Sequence, residues 1–114
     1  MSKYDWVYIG HMLDMSQKAL DLTSGVTKDG YDQDETLRLA LTHLIQVLGE
    51  AARHVSPAFQ EAHPEIPWHE IMGMRHRIVH DYMSVDEDVV WEVVQQDLPT
   101  LIAALGKIVP PEVV

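Results

Sequence analysis

The spacing of the apolar side chains is the feature that most restricts how this chain can fold. Between positions 37 and 55 they recur at intervals of three or four residues, which places them along one face of an α-helix. No long stretch of the chain has the two-residue alternation of a half-buried β-strand. We therefore expect an all-α protein in which this face packs against other helices. The face comprises Leu37, Leu41, Leu44, Leu48, Ala51 and Val55.

The first half of the chain predicts two long helices. Helix one is expected over about Tyr4–Leu22, and the segment Thr23–Asp32, which contains two glycines, predicts a loop. Helix two begins near Asp32 or Asp34, because either aspartate can serve as the N-cap and accept a hydrogen bond from the first turn. Ser56-Pro57 ends that helix.

The next segment predicts a short helical turn and a third helix. The turn covers Pro57–Ala62. Helix three has Pro67 at its first position, where a proline loses no helical hydrogen bond, and it continues to about Tyr82.

Helix four has two candidate caps. Ser84 and Glu87 have the spacing of a capping box, and Asp86 can equally serve as the N-cap. Pro99 predicts a kink inside the helix, because it removes one backbone donor and clashes with the carbonyl of Gln95. Four main helices with short connections predict an up-and-down four-helix bundle with one short extra helical turn.

The composition restricts the class of protein. The chain has 114 residues, the length of one domain, 1–114, and it contains no cysteine, which excludes disulfides and thiolate metal sites. Its beginning lacks the basic and apolar regions of a signal peptide, and no apolar run reaches the roughly 20 residues of a membrane span. We expect a cytoplasmic protein that does not bind a membrane.

The chain is strongly acidic. Eighteen Asp and Glu residues face 8 Lys and Arg residues, for a formal net charge of -10, and this total argues against tight non-specific binding of nucleic acid. The positive groups are unevenly distributed, however. Arg75 and Arg77 are close in sequence, and four of the seven histidines lie between positions 63 and 80. This part of the chain can therefore form a local cationic site.

The segment Arg75–Tyr82 concentrates the residues that can carry chemistry. On a continuous helix, at about 100° per residue, Arg75 falls on the mostly apolar face, whereas His76 and His80 share a polar face. A guanidinium on a buried face needs a partner, because burying an unpaired charge is costly. That partner is either an acidic side chain or the phosphate of a ligand, which a guanidinium can hold through two hydrogen bonds.

Each of these residues also has a purely structural interpretation. His80 alone can be a surface histidine, Arg75 one half of an ion pair, and Tyr82 a core aromatic residue with a bonded hydroxyl. His76 and His80 are four residues apart and can approach one zinc ion, but the sequence fixes no third ligand and lacks the H-E-x-x-H pattern. We therefore favour a site without metal.

The pattern Arg75-x-x-x-x-His80-x-Tyr82 resembles the motif of the HepT-like toxins of the HEPN family. His76 matches the polar residue that usually follows the motif arginine, and the predicted helices cover nearly the whole chain in the family's order. Three neighbouring segments also agree. They are Ile66-Pro67-Trp68 before the motif, Met72-Gly73-Met74 leading into it, and Gly49-Glu50-Ala51 on helix two.

The resemblance implies a homodimeric toxin that cleaves RNA without a metal or another cofactor. In it, His80 acts as the acid or base, Arg75 binds the phosphate and His76 supports them. It also implies a partner, a minimal nucleotidyltransferase antitoxin, that silences the toxin by transferring AMP from ATP to Tyr82. The acidic charge favours an alternative, a non-catalytic HEPN module that binds the nucleotidyltransferase or a nucleotide. A plain helical interaction domain without a site is the third possibility.

Helix geometry adds a prediction about the dimer. Arg75 and His80 point about 140° apart on a regular helix, which is too far to hold one phosphate easily. Either the helix loosens at His80-Asp81, or the arginine of one subunit works with the histidine of the other. Gly73 lies on the histidine face and would let a second backbone approach closely. We expect helix three at a two-fold interface, where both copies of this segment, Arg77 included, line one positive cleft.

Overall fold

The computed structural model describes residues 3–81 and 84–109. Within these ranges the predicted all-α fold is confirmed, since the chain is almost entirely helical and its strands form one small hairpin. The helices are α1 (Lys3–Thr23), α2 (Lys28–Asp32), α3 (Glu35–His54), α4 (Pro57–Ala62), α5 (Trp68–Met72), α6 (Met74–Ile78), α7 (Glu87–Glu92) and α8 (Leu98–Ile108). The hairpin consists of β1 (Val79–Asp81) and β2 (Ser84–Val85), and a π-helical segment (Val93–Asp97) joins α7 to α8. No helix in these ranges is long and apolar enough to cross a membrane.

Two long antiparallel helices, α1 and α3, form the centre of the fold. Asp5, near the start of α1, is 2% exposed, and its carboxylate accepts the backbone N–H and the hydroxyl of Ser56, both at 2.8 Å. Because Ser56 lies just beyond the end of α3, the start of α1 lies beside the end of α3. The Tyr8 ring stacks on the His54 ring in the same region. The apolar spacing of α1 did not predict this buried carboxylate, which is tolerated because both its oxygens are hydrogen-bonded.

The ends of α3 agree with the sequence prediction. Asp34 is the N-cap, and its side chain accepts the backbone N–H of Leu37 at 3.0 Å, so the alternative start at Asp32 is wrong. The helix ends at His54, just before Ser56-Pro57. The predicted helical turn is α4, with the predicted bounds.

The short helix α2 replaces the second half of the predicted loop. Thr27 caps it by accepting the backbone N–H of Gly30. Tyr31 fixes α2 to the rest of the protein, since its ring is buried beside Trp91 and its hydroxyl donates to the Glu87 carboxylate at 3.0 Å. Burial, and then this hydrogen bond, raises the pKa of Tyr31 well above its ordinary value, so the phenol stays protonated.

The C-terminal helix continues from α7 through the π-helical segment to α8. Asp86 is its N-cap and accepts the backbone N–H of Val89 at 3.2 Å, so the capping box with Ser84 is wrong. A kink was predicted at Pro99, and close to it the helix contains the π-helical segment, which ends two residues before the proline. The buried face of this helix consists of Val90, Val93, Val94, Leu98, Leu101 and Leu105.

The predicted helix three is the element that the structure corrects. One helix to about Tyr82 was expected, but the chain forms α5 and α6, separated at Gly73, and then the β1–β2 hairpin. Pro67 precedes α5 as its N-cap residue and does not take the first helical position. The four-helix bundle is nevertheless confirmed: α1, α3 and the C-terminal helix pack together, and the α5–α6 pair packs on α3 as the broken fourth member.

Candidate active site

The break between α5 and α6 lies just before the motif. α5 ends where the N–H of Gly73 donates to the carbonyl of His69 at 3.0 Å, and α6 begins where the N–H of Arg77 donates to the carbonyl of Gly73 at 3.3 Å. A Cβ at position 73 would lie 3.2 Å from the His69 carbonyl oxygen, so a side chain there would be crowded. The glycine predicted to admit a partner's backbone therefore also has a role within its own chain.

The chain becomes extended between Arg75 and His80. α6 ends at Ile78, which is fully buried, and the carbonyl of Ile78 accepts the N–H of Asp86 at 2.7 Å. The paired strand residues are Val79 with Val85 and Asp81 with Ser84. His80 therefore lies at the irregularity between two paired residues, and such a bulge redirects a side chain. α6 therefore ends two residues before His80, whereas the first of the two predicted arrangements had the helix loosen at His80-Asp81. How Arg75 and His80 come together, within one chain or across two, stays a prediction.

Arg75 is exposed, so the prediction that it occupies a buried face is wrong. The residues that α6 contributes to the core are instead Met74 and Ile78, on either side of Arg75 in the sequence. No side chain or carbonyl of residues 3–81 and 84–109 forms an ion pair or hydrogen bond with its guanidinium. The guanidinium is thus available to a phosphate. Arg75 lines a cleft of about 190 Å³ with Gln46, Gly49, Glu50, Arg53 and Met72.

Arg77 has a different environment from Arg75. Its guanidinium donates to the carboxylate of Asp97 at 2.8 Å, and this bond joins α6 to the π-helical segment. It lines a larger groove of about 490 Å³, whose floor includes Ile71 and Leu101. Within one chain the two arginines therefore face different grooves, and Asp97 offsets the charge of Arg77.

His80 is accessible and lies close to one carboxylate. Its side chain is 64% exposed, and its Nε2 atom lies 3.9 Å from Oδ2 of Asp86. This separation exceeds a hydrogen bond, so the two groups attract each other mainly when the imidazole is protonated. Asp86 itself is held by the N-cap bond to Val89 and by the backbone bond to Ile78. The sequence predicted Asp86 only as a cap, because its position beside His80 follows from the hairpin.

His76 and Tyr82 are the other predicted site residues. His76 is exposed on α6, next to Arg75 in the chain, and Tyr82 lies outside the described residues. Because α6 ends at Ile78, His76 and His80 do not share the regular helical face on which the zinc alternative depended. In the described part of the chain, no three histidine, aspartate or glutamate side chains are grouped closely enough to hold a metal ion.

Two further charged residues line the cleft beside Arg75, and the sequence pattern predicted a site role for neither. They are Glu50 and Arg53, both exposed on the last turns of α3. Nη2 of Arg53 donates to the carbonyl oxygen of Met72 at 3.0 Å. This contact joins residues that are 19 positions apart, which no local pattern indicates.

A comparison with known families identifies the group to which this chain belongs. Residues 12–108 match the family described as ribonuclease HepT-like. The chain is a member of the HepT-like ribonuclease family. The matched range includes the whole segment Arg75–Tyr82, and the family resemblance stated from the sequence is confirmed.

Three relatives of the HepT-like chain carry ribonuclease names. A provisionally named RNase of Caldanaerobacter subterraneus subsp. tengcongensis is 28% identical over 105 residues, which are 92% of this chain and 94% of that protein. A provisionally named RNase of Methanocaldococcus jannaschii is 26% identical over 89% of this chain and 94% of its own length. A protein of Thermococcus cleftensis named probable ribonuclease HepT is 37% identical over 60% of this chain and 62% of its own length. No solved structure matches the HepT-like chain significantly.

Proposed function

We propose that this protein is a metal-independent endoribonuclease in which Arg75 and His80 form the active site. The observation that carries the proposal is the end of α6 at Ile78, which leaves Arg75 on a helix and His80 on an extended strand, both exposed. The family assignment supplies the substrate class, RNA. A cation for the phosphate and a group that moves protons near neutral pH are what a metal-free cleavage requires.

The proposed reaction uses the ribose 2′-hydroxyl as the nucleophile. One imidazole removes its proton as the 2′-oxygen bonds to the adjacent phosphorus, and a second, protonated imidazole donates a proton to the 5′-oxygen as its bond to phosphorus breaks. The guanidinium of Arg75 stabilises the extra negative charge on the phosphorane. The products are an RNA with a 2′,3′-cyclic phosphate end and an RNA with a 5′-hydroxyl end.

We further propose that two copies of the chain form the site together. Each copy contributes one His80, whereas the reaction uses one basic and one protonated imidazole at the same time. His80 and His76 are both exposed and therefore accessible to a second copy. A closed two-fold dimer is the commonest assembly of identical chains and would place two copies of one segment face to face. His76 supports the phosphate contact from its position beside Arg75.

Mixed dimers test this arrangement. Two affinity tags allow isolation of dimers with one wild-type chain and one His80→Ala chain. If both imidazoles act in one site, these dimers are expected to lose nearly all cleavage activity, whereas independent chains would leave roughly half, one of two symmetric sites. A mixed dimer with His43→Ala, an exposed histidine on α3, controls for the tagging. Half activity in the His80 mixed dimer would contradict a site that uses both imidazoles, and a purified protein that is monomeric would contradict any site shared between two chains.

We propose that a partner nucleotidyltransferase silences the protein by transferring AMP from ATP to the hydroxyl oxygen of Tyr82, with release of pyrophosphate. The motif places this tyrosine two residues after His80. An AMP group there would add bulk and negative charge next to the residues that bind the phosphate of RNA. The family assignment, together with this spacing, supports the proposal.

Modification of Tyr82 is expected to be selective. Incubation with the nucleotidyltransferase and ATP should add AMP at Tyr82, and Tyr82→Phe should remain unmodified at that position, as measured by peptide mass spectrometry. Tyr31 is an internal control, because its ring is fully buried and its hydroxyl is bonded to Glu87. Tyr4 is the more demanding control, since it is 61% exposed. An adduct on Tyr4 and none on Tyr82 would refute the assignment.

The net charge of -10 favours a second candidate, a non-catalytic module that binds the nucleotidyltransferase or a nucleotide. The ion pair between Arg77 and Asp97 reduces the local positive charge further. Two experiments separate the candidates. A toxin RNase should arrest growth when it is expressed without its partner, and the purified protein should cleave RNA. A non-catalytic module should do neither.

A further inference from the structure

α3 contacts the end of α5 at two successive carbonyl groups. Nη2 of Arg53 donates to the carbonyl oxygen of Met72 at 3.0 Å. About one turn earlier on α3, a Cβ at Gly49 would lie 3.1 Å from the carbonyl oxygen of Ile71, so the two backbones are in close contact. Both carbonyl groups belong to the last two residues of α5, immediately before the break at Gly73.

The break explains why the Met72 carbonyl needs a donor from another helix. In a continuous helix this carbonyl would accept the N–H of His76, four residues later. Because the helix is interrupted at Gly73, the carbonyl is one of the acceptors left without an intrahelical partner at the end of α5. Arg53 supplies the donor, as arginine side chains commonly do near helix C-termini.

We infer that Arg53 is a positioning residue for Arg75. α6 carries Arg75 and begins directly after the carbonyl groups that α3 contacts, so the Arg53 contact holds the backbone from which α6 starts. Arg53 and Arg75 also line the same cleft. Arg53 acts on RNA through the placement of α6 and makes no phosphate contact of its own. Only its effect on cleavage rests on the proposed function.

Arg38 provides a matched control on the same helix. Its Nη1 atom donates to the carbonyl oxygens of Tyr31 and Asp32 at the end of the short helix α2. Arg38→Ala and Arg53→Ala therefore remove the same side chain, the same charge and the same kind of contact. The two arginines lie near opposite ends of α3, and Arg53 is the one next to α6.

Hydrogen exchange measured by mass spectrometry tests the structural part without RNA. Arg53→Ala is expected to accelerate amide exchange in the peptide that covers Met72–Ile78, whereas Arg38→Ala is expected to accelerate exchange around α2 alone. The inference is overturned if exchange over Met72–Ile78 is unchanged in Arg53→Ala, or equally accelerated in both variants. The exchange experiment decides the role of Arg53 in the structure whether or not the protein cleaves RNA.

Cleavage kinetics test the consequence for the site. If Arg53→Ala displaces Arg75 by about 1 Å, kcat is expected to fall by about 10²-fold with little change in KM. Arg38→Ala is expected to cleave at a rate near that of the wild type. Arg53→Lys should recover most of the activity, because an ammonium can donate to the same carbonyl. Equal reductions in Arg38→Ala and Arg53→Ala would contradict a positioning role. If the wild-type protein fails to cleave RNA, the proposed function fails, and the exchange experiment still decides the role of Arg53.

Salt dependence separates positioning from direct binding of RNA. The probe is a single-stranded RNA in which 2′-O-methyl groups block cleavage. For a single strand, removing one cationic side chain that binds a phosphate reduces the slope of log affinity against log salt concentration by about 0.7. If Arg53 acts through Arg75, the Arg75→Ala variant and the double variant should have the same slope. A further decrease of about 0.7 in the double variant would show that Arg53 binds a phosphate itself and would overturn the inference.

Discussion

Replacement of His80 by alanine is expected to slow RNA cleavage by about 10²–10⁴-fold, the usual contribution of a side chain that transfers a proton in the transition state. The fold should remain intact, because the side chain is 64% exposed and its contact with Asp86 is 3.9 Å long. Initial rates on single-stranded RNA measure the first effect. Circular dichroism during thermal unfolding measures the second.

Variants of two other histidines test whether the loss of cleavage is specific to His80. His43→Ala removes an exposed histidine from the middle of α3 and should leave the cleavage rate unchanged. His76→Ala should reduce the rate less than His80→Ala does, since His76 has a supporting role. A His80→Ala protein that cleaves as fast as the wild type would show that the active-site assignment is wrong.

Replacement of Arg75 by alanine is expected to slow cleavage by about 10²–10³-fold, the usual cost of removing one preorganised donor to a developing negative charge. Stability should change little, because the side chain is exposed and no group in the described ranges pairs with it. Initial rates together with the melting temperature test both statements.

Arg77→Ala is the matched control for Arg75→Ala. It removes the same charge two positions away, but from a guanidinium that is paired with Asp97 at 2.8 Å. We expect cleavage within a few-fold of wild type and a decrease of about 0.2–1 kcal/mol in the free energy of unfolding, the usual value of an exposed ion pair. Equal reductions of activity in the two variants would mean that general positive charge, and not the position of Arg75, supports cleavage.

Local chemistry made much of the fold predictable. Ser56-Pro57 marks the end of α3 because serine and proline both favour the start of a new helix, and Ser56 indeed caps α4. Pro99 predicted a kink because proline lacks a backbone donor, and a π-helical segment lies just before it. Asp34 and Asp86 were each one of two candidate caps that local spacing did not distinguish, and each is the cap in the structure.

The motif region was less predictable because its structure depends on contacts between distant residues. Val79 fits a helix face and a strand equally well, and its pairing with Val85 places it in the hairpin. Arg75 was expected on the buried face, but Met74 and Ile78 are the residues of α6 that enter the core, and Arg75 is exposed. The motif spacing identified Arg75 and His80, but spacing alone does not reveal that Asp86 lies beside His80 or that Arg53 contacts Met72.

The claim that RNA cleavage needs no metal ion is tested most directly by the products formed in a chelator. Purified wild-type protein is incubated with an end-labelled RNA in excess EDTA, with His80→Ala as the inactive control. The account predicts an unchanged cleavage rate and products that carry 2′,3′-cyclic phosphate and 5′-hydroxyl ends, because the 2′-oxygen is the nucleophile. Loss of cleavage in EDTA that an added divalent cation restores, or products with 5′-phosphate ends, would contradict it.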